Sequence, residues 1–399
     1  MSAYKTIPSQ KPFAAVHAML SRTFKGRSSS ANQICVKKSG EMIFSQAYGN
    51  TGWDGQYFPA NPLTLFDFSS LTQIFTAAAF MKLADYDMIH LDDPVCAILR
   101  DFSGPRPLLD AYAQKTGETL TDQRLNASNI VDASAITFRQ LLRHSSGLPP
   151  AGKLFRQAHH CAARQSLFNA GFSFIPDTDV QISDSASILL GWAIEALCKT
   201  DLSTAMDQLV LKPLGLQDIS FRPLDLQRQV PLPLPAEGIA PTYDTLWRKS
   251  RLRGEVCDPN SAFFGGICGH AGLFGTAEAL AIFGEAFLPG SDFLKTASLF
   301  EMTHPQTNMP EKQLFGLGFQ LWSEDPSGSV LTPLSSESFG FSCPDGTCLL
   351  IDPMRELVIA FLTNEISNNA STMDSMNTSK NLSINTLWPK IVREISGDL

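Results

Sequence analysis

The sequence predicts an α+β (α/β) fold: one antiparallel sheet built from both ends of the chain, flanked by helices, with a mostly helical lobe beside it. Strong β signals occur only near the two ends, at 33–47 and 347–363, while the segments between them carry helical spacing. Two distant strand groups around a helical middle are most simply joined in a single sheet. The composition agrees with a large packed core: 399 residues, 44% hydrophobic and 18% charged. We expect a single domain over 1–399, with a sheet lobe at approximately 12–66 and 290–399 and a helical lobe at approximately 67–289.

The elements follow in order. Residues 12–24 read as an amphipathic helix. Gln33–Lys37 and Met42–Ala47, separated by Ser39-Gly40, read as a hairpin. Gly49–Pro62 is rich in Gly, Asn, Asp and Pro and reads as loop. From Ser69 onward, Leu71, Ile74, Phe75, Ala78, Ala79 and Leu83 fall at helix spacing, with Asp67–Ser70 as capping residues. Residues 100–135 are polar and irregular, an expected linker or insertion. Helices are expected at 137–144, 183–199, 203–212 and 276–287. Residues 221–262 are Pro-rich and aperiodic, an expected surface excursion, most marked at 223–245. The strands Thr347–Ile351 and Leu357–Thr363 flank a turn at Asp352-Pro353, and a helix at about 383–396 closes the chain.

Net charge is −8, with no Lys/Arg block, so nucleic acid is not an expected partner. Eight cysteines are scattered through apolar segments without a C-x-x-C pair, which suits a reducing compartment. The N-terminal apolar stretch, Pro12–Leu20, is short and contains His17. The longest apolar run, Ala186–Cys198, is broken by Glu195. The expectation is therefore a cytoplasmic protein with no membrane contact. No cofactor is expected. His159-His160-Cys161 has metal-like residues, but adjacent histidines on a helix diverge and no carboxylate lies at ligand spacing, so no metal is expected either.

Ser70 stands where a helix N-terminus favours developing negative charge. Taken alone, such a serine is better explained as a helix cap. The surrounding sequence adds more. Phe66–Thr72, Leu91–Val95, Thr137–Pro149 (TFRQLLRHSSGLP), Pro213–Leu216, Arg253–Val256, Gly269–Phe274, Phe339-Gly340 and Ile351–Pro353 occur in a specific order. In these segments the chain resembles the serine β-lactamase-like family: class C β-lactamases, penicillin-binding protein DD-peptidases and esterases. The resemblance spans nearly the whole length. It implies a β-lactamase/transpeptidase-like fold, with Ser70 at the nucleophile position.

The resemblance also locates the rest of the active site, and there the residues depart from the family. The family's activating lysine, three residues after the serine, is Gln73, and an amide is no base. The family's second motif, Tyr-x-Asn or Tyr-Ser-Asp, falls on Ile182-Ser183-Asp184. Ile182 replaces the tyrosine and Asp184 remains. The third, Lys-Thr-Gly or His-Thr-Gly, falls on Phe341-Ser342-Cys343, with the basic residue lost. Cys257 stands where the family often has histidine. Phe341, Ser342, Cys343 and Cys257 are thus candidate cleft residues, and Cys343 is expected to narrow the cleft. Backbone oxyanion donors at Ser70 and near the third strand are expected to survive. His144 and His270 are expected to be structural. Lys115-Thr116-Gly117 and Ser2-Ala3-Tyr4-Lys5 spell family motifs out of order and carry no weight.

Three functions remain open on the sequence. One is a degenerate hydrolase whose cleft binds a small-molecule or peptide ligand, with peptidoglycan-derived peptides, amides and esters as candidates. The second is an active serine esterase or peptidase with a rearranged base. The third is a structural or partner-binding pseudoenzyme with a filled pocket.

Overall fold

The computed structural model of the protein describes residues 13–24, 30–53, 56–109, 130–224, 238–306, 314–322, 334–364 and 384–399. The central element is a seven-stranded antiparallel sheet. Its strands are β1 (Ala31–Lys38), β2 (Glu41–Gly49), β3 (Leu314–Phe315), β4 (Gln320–Leu321), β5 (Phe339–Ser342), β6 (Cys348–Asp352) and β7 (Leu357–Thr363), in the spatial order β3-β4-β5-β6-β7-β1-β2. The two ends of the chain meet at the β1–β7 pairing, which runs from Asn32↔Thr363 to Lys38↔Leu357. The sheet of both termini is therefore as expected.

The period of two in a strand sorts side chains between two cores. On one face, Ile34, Val36, Leu350, Ile359 and Phe361 pack against the terminal helices α1 (Ala14–Phe24) and α5 (Ile384–Asp398). Trp388, Ile391, Val392 and Ile395 place one stripe of α5 on that face. On the other face, Cys35, Leu349, Ile351, Val358, Ala360 and Leu362 join the main core, with α4 (Ala277–Glu285) against them. Every residue of β7 is buried, which is why it reads as a continuous apolar run.

Two helices of the main core position the site. In α2 (Thr72–Asp85) the first ten residues are all buried, polar Thr72, Gln73 and Thr76 among them. It packs on α3 (Asp184–Cys198), capped by Ser183, whose side chain accepts from the Ala186 N–H. The segment around Gly269 threads against both: Thr76 Oγ1 donates to Gly269 O at 2.8 Å, and a Cβ on Gly269 would lie 2.0 Å from Ser187 O. Only glycine fits this approach.

Several expectations are corrected. The 203–212 helix is α-helical only over Leu202–Met206 and continues as a wider π turn over Asp207–Leu211. In the 100–135 stretch, Pro105–Pro107 pairs with Ile130–Asp132, and 110–129 lies outside the described residues. The 221–262 excursion holds a short hairpin, Thr242–Asp244 with Ser250–Leu252, and a helix, Pro259–Phe263; 225–237 lies outside the described residues. Helices His160–Phe168 and Thr296–Thr303 and strands β3 and β4 were not expected. Both out-of-order motifs, at 2–5 and 115–117, lie outside the described residues. Among the described residues no helix is long and apolar enough to cross a membrane.

Candidate active site

The site is assembled around the turn that opens α2. Asp67 is buried beneath it and accepts two backbone N–H groups, Ser69 at 2.9 Å and Cys257 at 2.7 Å. Those bonds hold Ser69 in a left-handed conformation, φ 50°, a strained setting for a residue with a side chain. Ser69–Leu71 then form one 3-10 turn that feeds α2, with Ser70 half-buried at its centre. Burial pushes the Asp67 carboxyl up to about 7, against the two N–H donors.

One helical turn beyond Ser70, both ends of the Gln73 side chain are engaged. Nε2 donates to Asp184 Oδ1 at 3.1 Å, and Oε1 accepts from Ser187 Oγ at 2.9 Å. Gln73 is 4% exposed. Burial raises the Asp184 carboxyl above its ordinary value, the His270 charge offsetting part of this. His270 is buried and bonded through Nε2 to Asp258 Oδ1 at 2.8 Å. Burial works against both charges, yet each outweighs it for the other: Asp258 is held low and His270 well above its ordinary value. Among the described residues no side chain accepts a proton from Ser70 Oγ.

The remaining site residues divide. Ile182 is half-buried against the main core. Phe341 is 1% exposed and belongs to that core, so a ligand would not reach it without rearrangement. Ser342 is exposed, its N–H and Oγ donating to Gln320 Oε1 at 3.1 and 3.2 Å. Cys343 is buried and belongs to the main core. Burial, with Asp345 adding, pushes this thiol well above its ordinary value and keeps it protonated, so it is no nucleophile.

The expected oxyanion donors near the third strand are not there. The Ser342 N–H is taken by Gln320, the Cys343 N–H donates to Thr347 O at 2.9 Å, and Pro344 has no N–H. This last point is legible in the sequence. The engagement of Gln73 by Ser187 is not, because it depends on how α2 and α3 meet.

A cavity of about 180 Å³ opens beside the Ser69–Leu71 turn. Ser69, Asp67, Cys257, Tyr243, Leu246 and Asp345 are among its lining residues, but Ser70 is not. The structure thus joins Cys257 and Asp345 at this cavity, and Gln73 to Asp184 through their hydrogen bond. Two of the metal-like residues have structural roles: His159 caps its helix by accepting from the Ala162 N–H, and His160 packs on Phe263 and Phe264; Cys161 is exposed. His144 is buried at φ 59°, with burial lowering its ring to about 4.

The chain belongs to the β-lactamase family, whose description "Beta-lactamase" matches residues 21–375. Two relatives are each named "Putative D-alanyl-D-alanine carboxypeptidase". That of Salmonella agona is 25% identical over 358 residues, 83% of this chain and 78% of the relative. That of Escherichia coli K12 is 25% identical over 367 residues, 83% and 77%. Among solved structures, EstCE1, described as "a hydrolase with promiscuous acyltransferase activity", aligns at a TM-score of 0.69 and 19% identity, covering 96% of this chain and 97% of that one. Simvastatin synthase (LovD) of Aspergillus terreus gives 0.65 and 17%, covering 91% and 96%. The octameric penicillin-binding protein homologue of Pyrococcus abyssi gives 0.62 and 17%, covering 89% and 73%. At these identities the structural likeness establishes the β-lactamase/transpeptidase-like fold.

Proposed function

We propose that this protein binds a small peptide, amide or ester beside the nucleophile turn and does not turn it over by acyl transfer. The observation that carries this reading is the fixed Gln73 amide, held at Nε2 by Asp184 and at Oε1 by Ser187. An amide so held neither accepts the Ser70 proton nor moves aside for a water that could. The absent strand donors remove stabilisation of a tetrahedral oxyanion as well. Losing such members of a catalytic unit lowers rates on the order of 10⁴ to 10⁶. The relatives named as carboxypeptidases make a peptide ligand the first to try.

The test is covalent labelling with a fluorophosphonate and a fluorescent penicillin, with Ser70→Ala as control. The expected result is equal, background labelling of both proteins. Ser70-dependent labelling at the rate of active relatives would overturn the proposal. It would favour a hydrolase in which Asp184, a half-buried carboxylate with raised proton affinity, serves as base.

A further inference from the structure

A second cavity, of about 440 Å³, has a lining distinct from that of the first. None of Ser70, Gln73, Asp184, Cys257 and Cys343 lines it. Its size falls within the range of small-molecule sites. The floor is apolar: Leu224, Val256, Ala262 and Phe274 line it and pack with Leu65 and Ile239 in a satellite core. One wall is Trp247, 41% exposed, with its ring fixed against Phe155 and Phe263 at 5.8 and 6.1 Å between centroids. An indole already held in place loses little freedom on stacking with a ligand.

The rim supplies charge. Arg248 is locked by Asp244 at 2.7 Å and by the carbonyls of Val256 and Cys257 at 2.6 and 3.0 Å, with Glu255 at 3.5 Å. Arg222 stands exposed at the mouth with φ 49°. Beside Arg222 runs the Gly265-Gly266 turn, with both residues left-handed at φ 85° and 81°, and a Cβ on Gly266 would lie 3.4 Å from Arg222 Cγ. The space a Cβ of Gly265 would enter is open to 4 Å, so the turn keeps a side chain out of the mouth.

We propose that this cavity is a binding site for a small amphipathic carboxylate. The apolar body lies over Phe274 and Val256, a planar group faces Trp247, and the carboxylate meets the guanidinium of Arg222. The site does not depend on the state of Ser70.

The test is calorimetric titration of the full chain with N-acetyl-phenylalanine and its uncharged carboxamide. Saturable binding of the acid is expected below ~10 mM, with the carboxamide at least about tenfold weaker. Ala262→Trp, which fills the cavity, should abolish binding. Arg222→Met, on the exposed rim, should bring the acid down to the carboxamide. Ser70→Ala should change neither. Absence of saturable binding in the parent protein would overturn the proposal, as would unchanged binding in Ala262→Trp. If Ala262→Trp does not fold, an unchanged preference for the acid in Arg222→Met overturns it independently.

Discussion

Gln73 sits between two partners, and each makes a different demand. Ser187→Ala would leave the buried Oε1 without a donor and should cost about 1–3 kcal/mol of stability, read from the urea midpoint. Restoring the family's ionisable groups is a harder matter. The triple change Gln73→Lys, Ile182→Tyr and Phe341→His should give no esterase activity. Phe341 is a core residue, and the strand beside it has no N–H to offer. Adding Cys343→Gly and Pro344→Ala to the triple is the combination expected to give a first detectable rate; activity from the triple alone would contradict this account of the strand. Asp67 gives a pH prediction. Its folded-state carboxyl titrates near 7, above its ordinary value of 3.8, so the folded state binds the extra proton between those pH values. Stability from this group therefore falls as pH rises from about 4 to about 7 and is level above that. Asp67→Asn should flatten the slope in that window, measured as urea midpoints at pH 5 and 7.5. An unchanged slope would assign the effect elsewhere. Phe341, expected in the cleft, lies in the core, and the strand donors expected to survive are taken, whereas Gln73 and Ile182 were legible from residue type alone. The buried Asp67 clamp was not, since nothing local to Asp67 points to the Cys257 N–H.

At the scale of elements, legibility tracked length and period. The hairpin, β6, β7, α2 and α3 carry long apolar patterns and were anticipated within a few residues. Strands β3 and β4 have two residues each and no pattern to read. They exist because β5 offers an edge for β4, and β4 one for β3. The π turn at Asp207–Leu211, which packs against α2, likewise carries no separate sequence pattern. Docking of α5 is testable by core truncation. Ile391 and Ile395 are fully buried, and Ile391→Ala or Ile395→Ala should each cost about 2–5 kcal/mol. A cost near zero for both would mean that α5 does not rest on the sheet as described. Thr137 caps its short helix in a capping box with Gln140, and Thr137→Ala should cost about 1 kcal/mol.

Across the whole molecule, the sheet closes through β1 and β7, so the first and last parts of the chain stabilise one another. Landmarks spread along the sequence made the fold legible, whereas the chemistry rests on a few side chains inside it. Under the proposed reading, the family's fold is a scaffold reused for binding. We expect the chain to unfold as one cooperative domain, with matching calorimetric and van't Hoff enthalpies; two resolved transitions would instead separate the sheet from the helical lobe. The central claim, that Ser70 marks the family's nucleophile position without acting as one, is tested most directly by ester hydrolysis. Rates for p-nitrophenyl butyrate should be the same for the parent protein and Ser70→Ala. A parent rate about a hundredfold or more above that of Ser70→Ala would contradict it.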